Sequence, residues 1–169
     1  ERFGDVQRSD VRVVIDAILA STASWNERGH LAVDGPARGS FPLGHTHVSL
    51  GVGGLHSIDV PGMIEGPLAD LDVTSYYPSL IARDGISPPQ VPEFSRRTAA
   101  LLQRRLQAKR AGDLVASNAL KYVINSLYGQ LGNSRSGLFS PSDALRVVLT
   151  GQLHLLQLMD GILSAGGEL

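Results

Sequence analysis

The sequence predicts an α+β protein in which antiparallel strands pack with helices and an antiparallel helical hairpin is inserted among them. Three observations carry that prediction. Residues 31 to 57 alternate apolar and polar side chains and are punctuated by glycine, as strands and tight turns are. Residues 93 to 128 carry two runs at helical spacing, broken only at Gly112 and Asp113. The stretch SPPQVP, residues 87 to 92, is a stiff proline joint that separates the two kinds of pattern.

Taken in order, Asp10 is expected to cap a helix running through VRVVIDAILASTASWNER to about Gly29. HLAVDG and SFPLGHTHVSLGVGGLHS follow as strands and turns. IEGPLADLDVTSYYP reads as a turn and then a strand ending near Pro78. Beyond the proline joint, one helix is expected from about Glu93 to Ala111, stopped by Gly112. A second begins with Asp113 as N-cap and runs to Tyr128, where Gly129 closes it. So short a connection makes the pair an antiparallel hairpin. After the turn GQLGNSRSG, Ser140 or Ser142 starts a last helix through DALRVVLTGQLHLLQLMDGIL, and AGGEL reads as the approach to another strand.

At 169 residues the chain is long enough for one sizeable core or for two subdomains. Its 43% hydrophobic and 18% charged residues exclude a disordered chain. No run approaches the roughly 20 apolar residues of a spanning helix, so no membrane partner is expected. The polar start ERFGDVQRSD lacks a signal-peptide core, and Glu1 in place of methionine suggests an excised or processed piece. Without cysteine there is neither a disulfide framework nor a thiolate metal site, and the cytoplasm is the default compartment.

The net charge of −1 hides an asymmetry. Seven basic and two acidic residues lie between Glu93 and Lys121, and RRTAALLQRRLQAKR, residues 96 to 110, has no acid at all. Such a block is either a solvated helix face or a surface for phosphates.

The most informative spacing is in ALKYVINSLYG. Lys121, Asn125 and Tyr128 fall at i, i+4 and i+7 and so share one helix face. That face is either an ordinary amphipathic surface or a graded one, with a cation for phosphate, an amide for polar contact and a ring for stacking. A second unusual stretch is DVTSYYPSLI, residues 72 to 81, where a carboxylate precedes paired tyrosines and a proline.

Together these two stretches resemble the family B DNA polymerases, especially the compact phage-type members. The first palm motif of that family, D-x-x-S-x-Y-P-S, is similar to Asp72, Ser75, Tyr77, Pro78 and Ser79. Its fingers motif, K-x-x-x-N-S-x-Y-G, is similar to Lys121, Asn125, Ser126, Tyr128 and Gly129. Agreement at ten fixed positions, in the right order and with a basic hairpin between them, is implausible by chance. The resemblance covers about Gly51 to the C-terminus.

The resemblance implies a fragment of a DNA-directed DNA polymerase, a nucleotidyltransferase that adds dNTP to a primer 3′-hydroxyl. Residues 1–90 would be part of the palm with an N-terminal helix and strands. Residues 91–129 would be the fingers hairpin, and 130–169 a palm helix leading to a truncated strand. Two Mg²⁺ ions about 3.5–4 Å apart would serve the chemistry. Asp72 would be the first catalytic and metal-binding carboxylate, with the Val73 carbonyl as an added ligand. The Ser75 and Tyr76 amides would turn toward the triphosphate. Tyr77 would lie under the sugar and exclude a 2′-hydroxyl by a clash. Lys121 would contact the triphosphate, while Asn125 and Tyr128 line the nucleotide pocket. Arg105 and Lys109, similar to an R-x-x-x-K pattern, would bind phosphate. Gly53 and Gly54 would contact DNA template, in a segment similar to Y-x-G-G but with Gly51 in place of the tyrosine. The implied partners are DNA primer-template, dNTP and the remainder of a polymerase chain: an exonuclease or N-terminal region, the rest of the palm, and the thumb. The implied setting is phage- or plasmid-encoded, in a bacterial host.

The residues themselves leave other readings open. Tyr76, Tyr77 and Tyr128 are also what core packing at element ends looks like. His45, His47 and His56 are either zinc ligands or, more commonly, solvated histidines. Asp70 and Asp72 are expected to share a strand face, and Asp70 is a second ligand or, more commonly, a solvated carboxylate or one supporting a ligand. A second catalytic aspartate in a T-D motif is expected of the family and does not follow Tyr128, because Asp143 and Asp160 fall in the last expected helix. The chain by itself is therefore expected not to extend a primer. The competing reading is a non-catalytic nucleic-acid-binding remnant, and a third is an interaction domain with coincidental motifs.

Overall fold

Five helices and two small antiparallel sheets make up the described residues, so the fold is α+β. The computed structural model describes residues 6–25, 31–51, 53–58 and 65–169. The backbone divides into two compact units, residues 1–68 with 152–169, and residues 69–151.

The first unit starts with α1 (Ser9–Leu19), which buries Val11, Val14, Ile15 and Ile18 at helical spacing. Asp10 does not cap it. Arg8 is the N-cap, and Asp10 sits in the first turn, accepting from the Arg8 guanidinium at 2.8 Å and from the Val11 amide. The helix expected to reach Gly29 ends ten residues sooner, and residues 26–30 lie outside the described residues. The Ser21 hydroxyl, which donates to the Ala17 carbonyl at 2.7 Å, and the β-branched Thr22 mark the change to strand.

Strand β1 (Thr22–Trp25) pairs antiparallel with β2 (Leu31–Asp34). A separate meander joins β3 (Ser40–Leu43), β4 (Thr46–Gly51) and β5 (Gly54–Ile58) in that order, as the alternation of residues 31 to 57 predicts. Gly44 takes a φ of +59° at the first position of the two-residue β3–β4 turn, a conformation that glycine adopts without strain.

The second unit is helical. Its core gathers Ile81, Ile86, Phe94, Leu131, Ala144 and Val147, with Tyr77, Tyr128 and Leu127 packed against them. Apart from Ile86, which lies in the connection after α2, these come from α2 (Tyr76–Arg83), α3 (Phe94–Arg110), α4 (Leu114–Gly132) and the first half of α5 (Pro141–Ser164). The turn between α3 and α4 is the expected one. The Asp113 amide donates to the Ala108 carbonyl and the Gly112 amide to that of Lys109, closing α3 with Gly112 at φ +76°. Asp113 then caps α4, accepting from the Ala116 amide at 2.9 Å. Gly129 does not end α4. The fully buried Leu131 draws the helix on by another turn, to Gly132.

Three further expectations change. The strand expected before Pro78 is absent: residues 67–73 are irregular, and Tyr76 opens a helix instead. Strands need a ladder partner, and none of the five strands pairs with this segment. Of the two candidate serines, Ser140 precedes α5, with Pro141 in its first turn; residues 165–169 form no strand. Finally, α5 is long and apolar enough to cross a membrane by length and composition alone. It packs instead as a core helix, burying Ala144, Val147, Val148 and Leu156 together with the polar Gln152 and Asp160.

Candidate functional site

The site is built where α2 begins. Ser75 is the N-cap of α2 and adopts φ 51°, ψ 52°, the left-handed conformation, alone among the described non-glycine residues. Such a residue is disfavoured by roughly 1–2 kcal/mol and needs support. Support comes from α3, where the Arg105 guanidinium donates to the Ser75 hydroxyl oxygen. That oxygen therefore makes no side-chain cap on α2. The Ser79 amide donates to the Ser75 carbonyl at 2.9 Å, and the Ser79 hydroxyl to the Thr74 carbonyl at 3.1 Å. Arg105 also keeps its Nε buried with no hydrogen-bond partner among the described residues.

This reversal of the chain aims the two tyrosines. Tyr76 and Tyr77 stack with ring centres 5.7 Å apart. Tyr77 meets Tyr128 of α4 at 4.6 Å, the rings tilted by 49°. Tyr76, Tyr77, Pro78, Asn125 and Tyr128 line an open hollow of about 240 Å³. Pro78 fits there because a proline in the first turn of a helix forfeits no internal hydrogen bond. Burial raises the pKa of all three phenols; for Tyr76, burial and then the neighbouring Tyr77 push it up to about 12. The walls are thus neutral near pH 7, offering ring faces and the Asn125 amide.

Residues from two stretches about fifty positions apart therefore meet in one place. Asn125 and Tyr128 share a wall, as their spacing requires. Lys121, one turn earlier on α4, and Lys109, one turn after Arg105 on α3, are exposed outside the lining. Ser126 is exposed too, its hydroxyl donating to the Val123 carbonyl at 2.7 Å. Asp70, Asp72 and Val73 lie exposed on the irregular segment ahead of Ser75, not on the shared strand face expected of the two aspartates.

In the other unit, Gly54 begins β5 at φ +156°, and Gly53 precedes it in the β4–β5 turn. The Gln152 amide of α5 donates to the carbonyls of Gly51 and Gly54, both at 2.8 Å. His45 occupies the β3–β4 turn, 3.9 Å from Glu168, while His47 lies on β4 and His56 on β5. No three His, Cys, Asp or Glu side chains gather to hold a metal ion among the described residues.

Two contacts made from α5, one in each unit, escape a reading of the sequence. Gly151, inside α5, accepts a hydrogen bond from the Tyr76 hydroxyl at 2.6 Å, and Gln152 clamps the β4–β5 turn. The available signal was an isolated glycine and a glutamine within an otherwise apolar helical pattern.

Comparison with protein-family models, with characterised proteins and with solved structures finds no match to the chain.

Proposed function

We propose that the chain is the palm-and-fingers portion of a family B DNA polymerase and that the hollow receives a deoxynucleoside triphosphate. One observation carries this reading: the tyrosine corner of the first motif and the Asn125–Tyr128 face of the second line the same hollow. A merely coincidental pair of motifs has no reason to meet. In this reading, Tyr128 supplies a stacking face, Asn125 a polar contact, and Tyr77 lies under the sugar, where a 2′-hydroxyl would strike its ring. Arg105, bonded to Ser75 at the start of α2, lends positive charge there, and in this reading the exposed Lys109 and Lys121 reach toward the triphosphate.

The residues present do not complete a two-metal centre, since no three potential ligand side chains converge among the described residues. Asp72 and the Val73 carbonyl fit as ligands to a Mg²⁺ that arrives with the nucleotide, because Mg²⁺ takes few protein ligands and keeps phosphate and water oxygens. Such an ion would neutralise charge on the phosphates. No cluster that would give Asp72 a second carboxylate forms among the described residues, so in this reading the chain by itself binds without extending a primer.

Calorimetric titration of the chain with dATP and Mg²⁺ tests the reading. Saturable binding is expected, weakened about tenfold in Tyr128→Ala, since stacking of a base on an aromatic ring contributes roughly 1–3 kcal/mol. No saturable binding would overturn it, and templated extension by the chain alone would show that its metal centre is complete.

A second reading, a non-catalytic nucleic-acid-binding remnant, draws on α3. Arg96 and Arg97 pair with Glu93, whereas Arg104, Lys109 and Arg110 form no ion pair among the described residues. That reading gives salt-sensitive binding of single-stranded DNA with no response to dATP.

A further inference from the structure

Gly151 has no place in either motif, yet it lies against the tyrosine pair. Its carbonyl accepts from the Tyr76 hydroxyl at 2.6 Å. A Cβ added there would stand 3.3 Å from Cε1 of Tyr77 and from Cδ1 of Leu80, and 3.4 Å from Cε1 of Tyr76. Contacts of that length at three carbons together require the neighbours to retreat by a few tenths of an ångström. Helix propensity gives no reason for the residue, because glycine in a helix interior is a poorer helix former than alanine. Gly161, also inside α5, meets nothing within 4 Å, so close approach is a property of position 151 and not of glycines on this helix in general.

We infer that Gly151 is a positioning residue for the hollow: its missing side chain and its carbonyl fix how deeply Tyr76 and Tyr77 seat against α5. Through Tyr77 it sets the fit of a bound sugar, an inference that rests on the nucleotide reading above. The pathway is short. A side chain at 151 presses the Tyr77 ring away from α5, and Tyr77 is already in contact with Tyr128 at 4.6 Å. Movement of one ring therefore reaches both tyrosine walls. Core packing alone would make Gly151 matter for stability; positioning makes it matter for the ligand through Tyr77.

The test is a double-mutant cycle on the 169-residue chain, titrating dATP and ATP, each with Mg²⁺, by calorimetry. Gly151→Ala is expected to weaken dATP binding and to change the ratio of dATP to ATP affinity, together by about tenfold, a coupling typical of side chains in contact. In the Tyr77→Ala background, the same substitution should leave the ratio of dATP to ATP affinity unchanged and weaken dATP binding less. Equal losses in both backgrounds, or none in either, would overturn the inference. Near-ultraviolet circular dichroism reads the rings without a ligand. If the parent chain binds neither nucleotide, the nucleotide reading fails, and the dichroism still decides the placement of the rings. A changed tyrosine band in Gly151→Ala supports the positioning role, and an unchanged one refutes it. Should Gly151→Ala not fold, Tyr76→Phe removes the bond to the Gly151 carbonyl without adding volume. A weakened dATP affinity or altered tyrosine band is then expected, and parental values for both would reject the inference.

Discussion

The two units bond some of their polar groups differently. In the unit of residues 1–68 and 152–169, those groups are committed to backbone. Both carboxylate oxygens of Asp160 accept amides, from Gln7 at 3.0 Å and Arg8 at 2.9 Å. The Gln152 amide donates to two carbonyls, and the Ser21 hydroxyl bridges the Ala17 carbonyl and the Ala37 amide. In the unit of residues 69–151, Arg105 supports one strained residue and keeps a buried Nε with no hydrogen-bond partner among the described residues, while three aromatic rings converge on a hollow. A buried polar group whose bonds all go to backbone is a clamp. A buried donor left without a partner, as Arg105 Nε is among the described residues, costs stability instead.

The largest expected effect comes from breaking the core under the hollow. Leu131 is fully buried in the cluster that also supports Tyr77 and Tyr128. Leu131→Ala should destabilise its unit by about 2–5 kcal/mol through lost burial and the cavity left behind. Hydrogen exchange is expected to accelerate in α2 and α4 with little change in β3 to β5. Equal acceleration throughout would erase the distinction between the units.

A smaller effect is expected from the clamp in the other unit. Gln152→Ala removes the donor to the carbonyls of Gly51 and Gly54 and should destabilise by roughly 1–3 kcal/mol. Exchange should rise in β4 and β5, and dATP binding should stay at the parental level. A lost response to dATP would show that the clamp also serves the site and would blur the comparison.

How much of this was legible depends on the kind of order involved. The helical hairpin was readable because its signals are local: Gly112 and Asp113 both stop one helix and start the next, and spacing alone puts Asn125 and Tyr128 on one wall. The β-meander was readable from alternation and from glycine at its turns. The segment before Tyr76 looks like a strand because Asp70, Leu71, Asp72 and Val73 alternate as a strand would, while the missing partner strand is a long-range fact. Helix α1 is shorter than its apolar spacing implies, because that spacing persists past Leu19, where pairing with β2 overrides helical periodicity. Gly151 is invisible in the sequence because its importance lies in contacts with Tyr76 and Tyr77, far away along the chain. Nor could sequence place Arg105 on Ser75, a contact thirty residues apart that fixes the direction of α2.

The smallest effect, and the sharpest probe of the hollow, is its response to alkali. An ordinary phenol ionises near 10.0, whereas burial holds Tyr76 neutral until about 12 and raises Tyr77 and Tyr128 in the same direction. Folding therefore favours the protonated phenols. Their contribution is fully present below pH 10 and is lost as pH rises from 10 toward 12, because the unfolded chain gives up its protons first. The three rings are only half-buried, so water screens much of the effect and the decline should be shallow. Urea unfolding across that range should show stability falling with pH, and the ultraviolet phenolate band of the folded chain should rise late. Tyr76→Phe removes the group whose ionisation comes near 12 and should flatten the decline. If every phenolate formed near pH 10 with no loss of stability, the rings would be hydrated as freely as surface residues. The hollow would then be too wet to hold a base by stacking, and its contrast with the clamped unit would disappear.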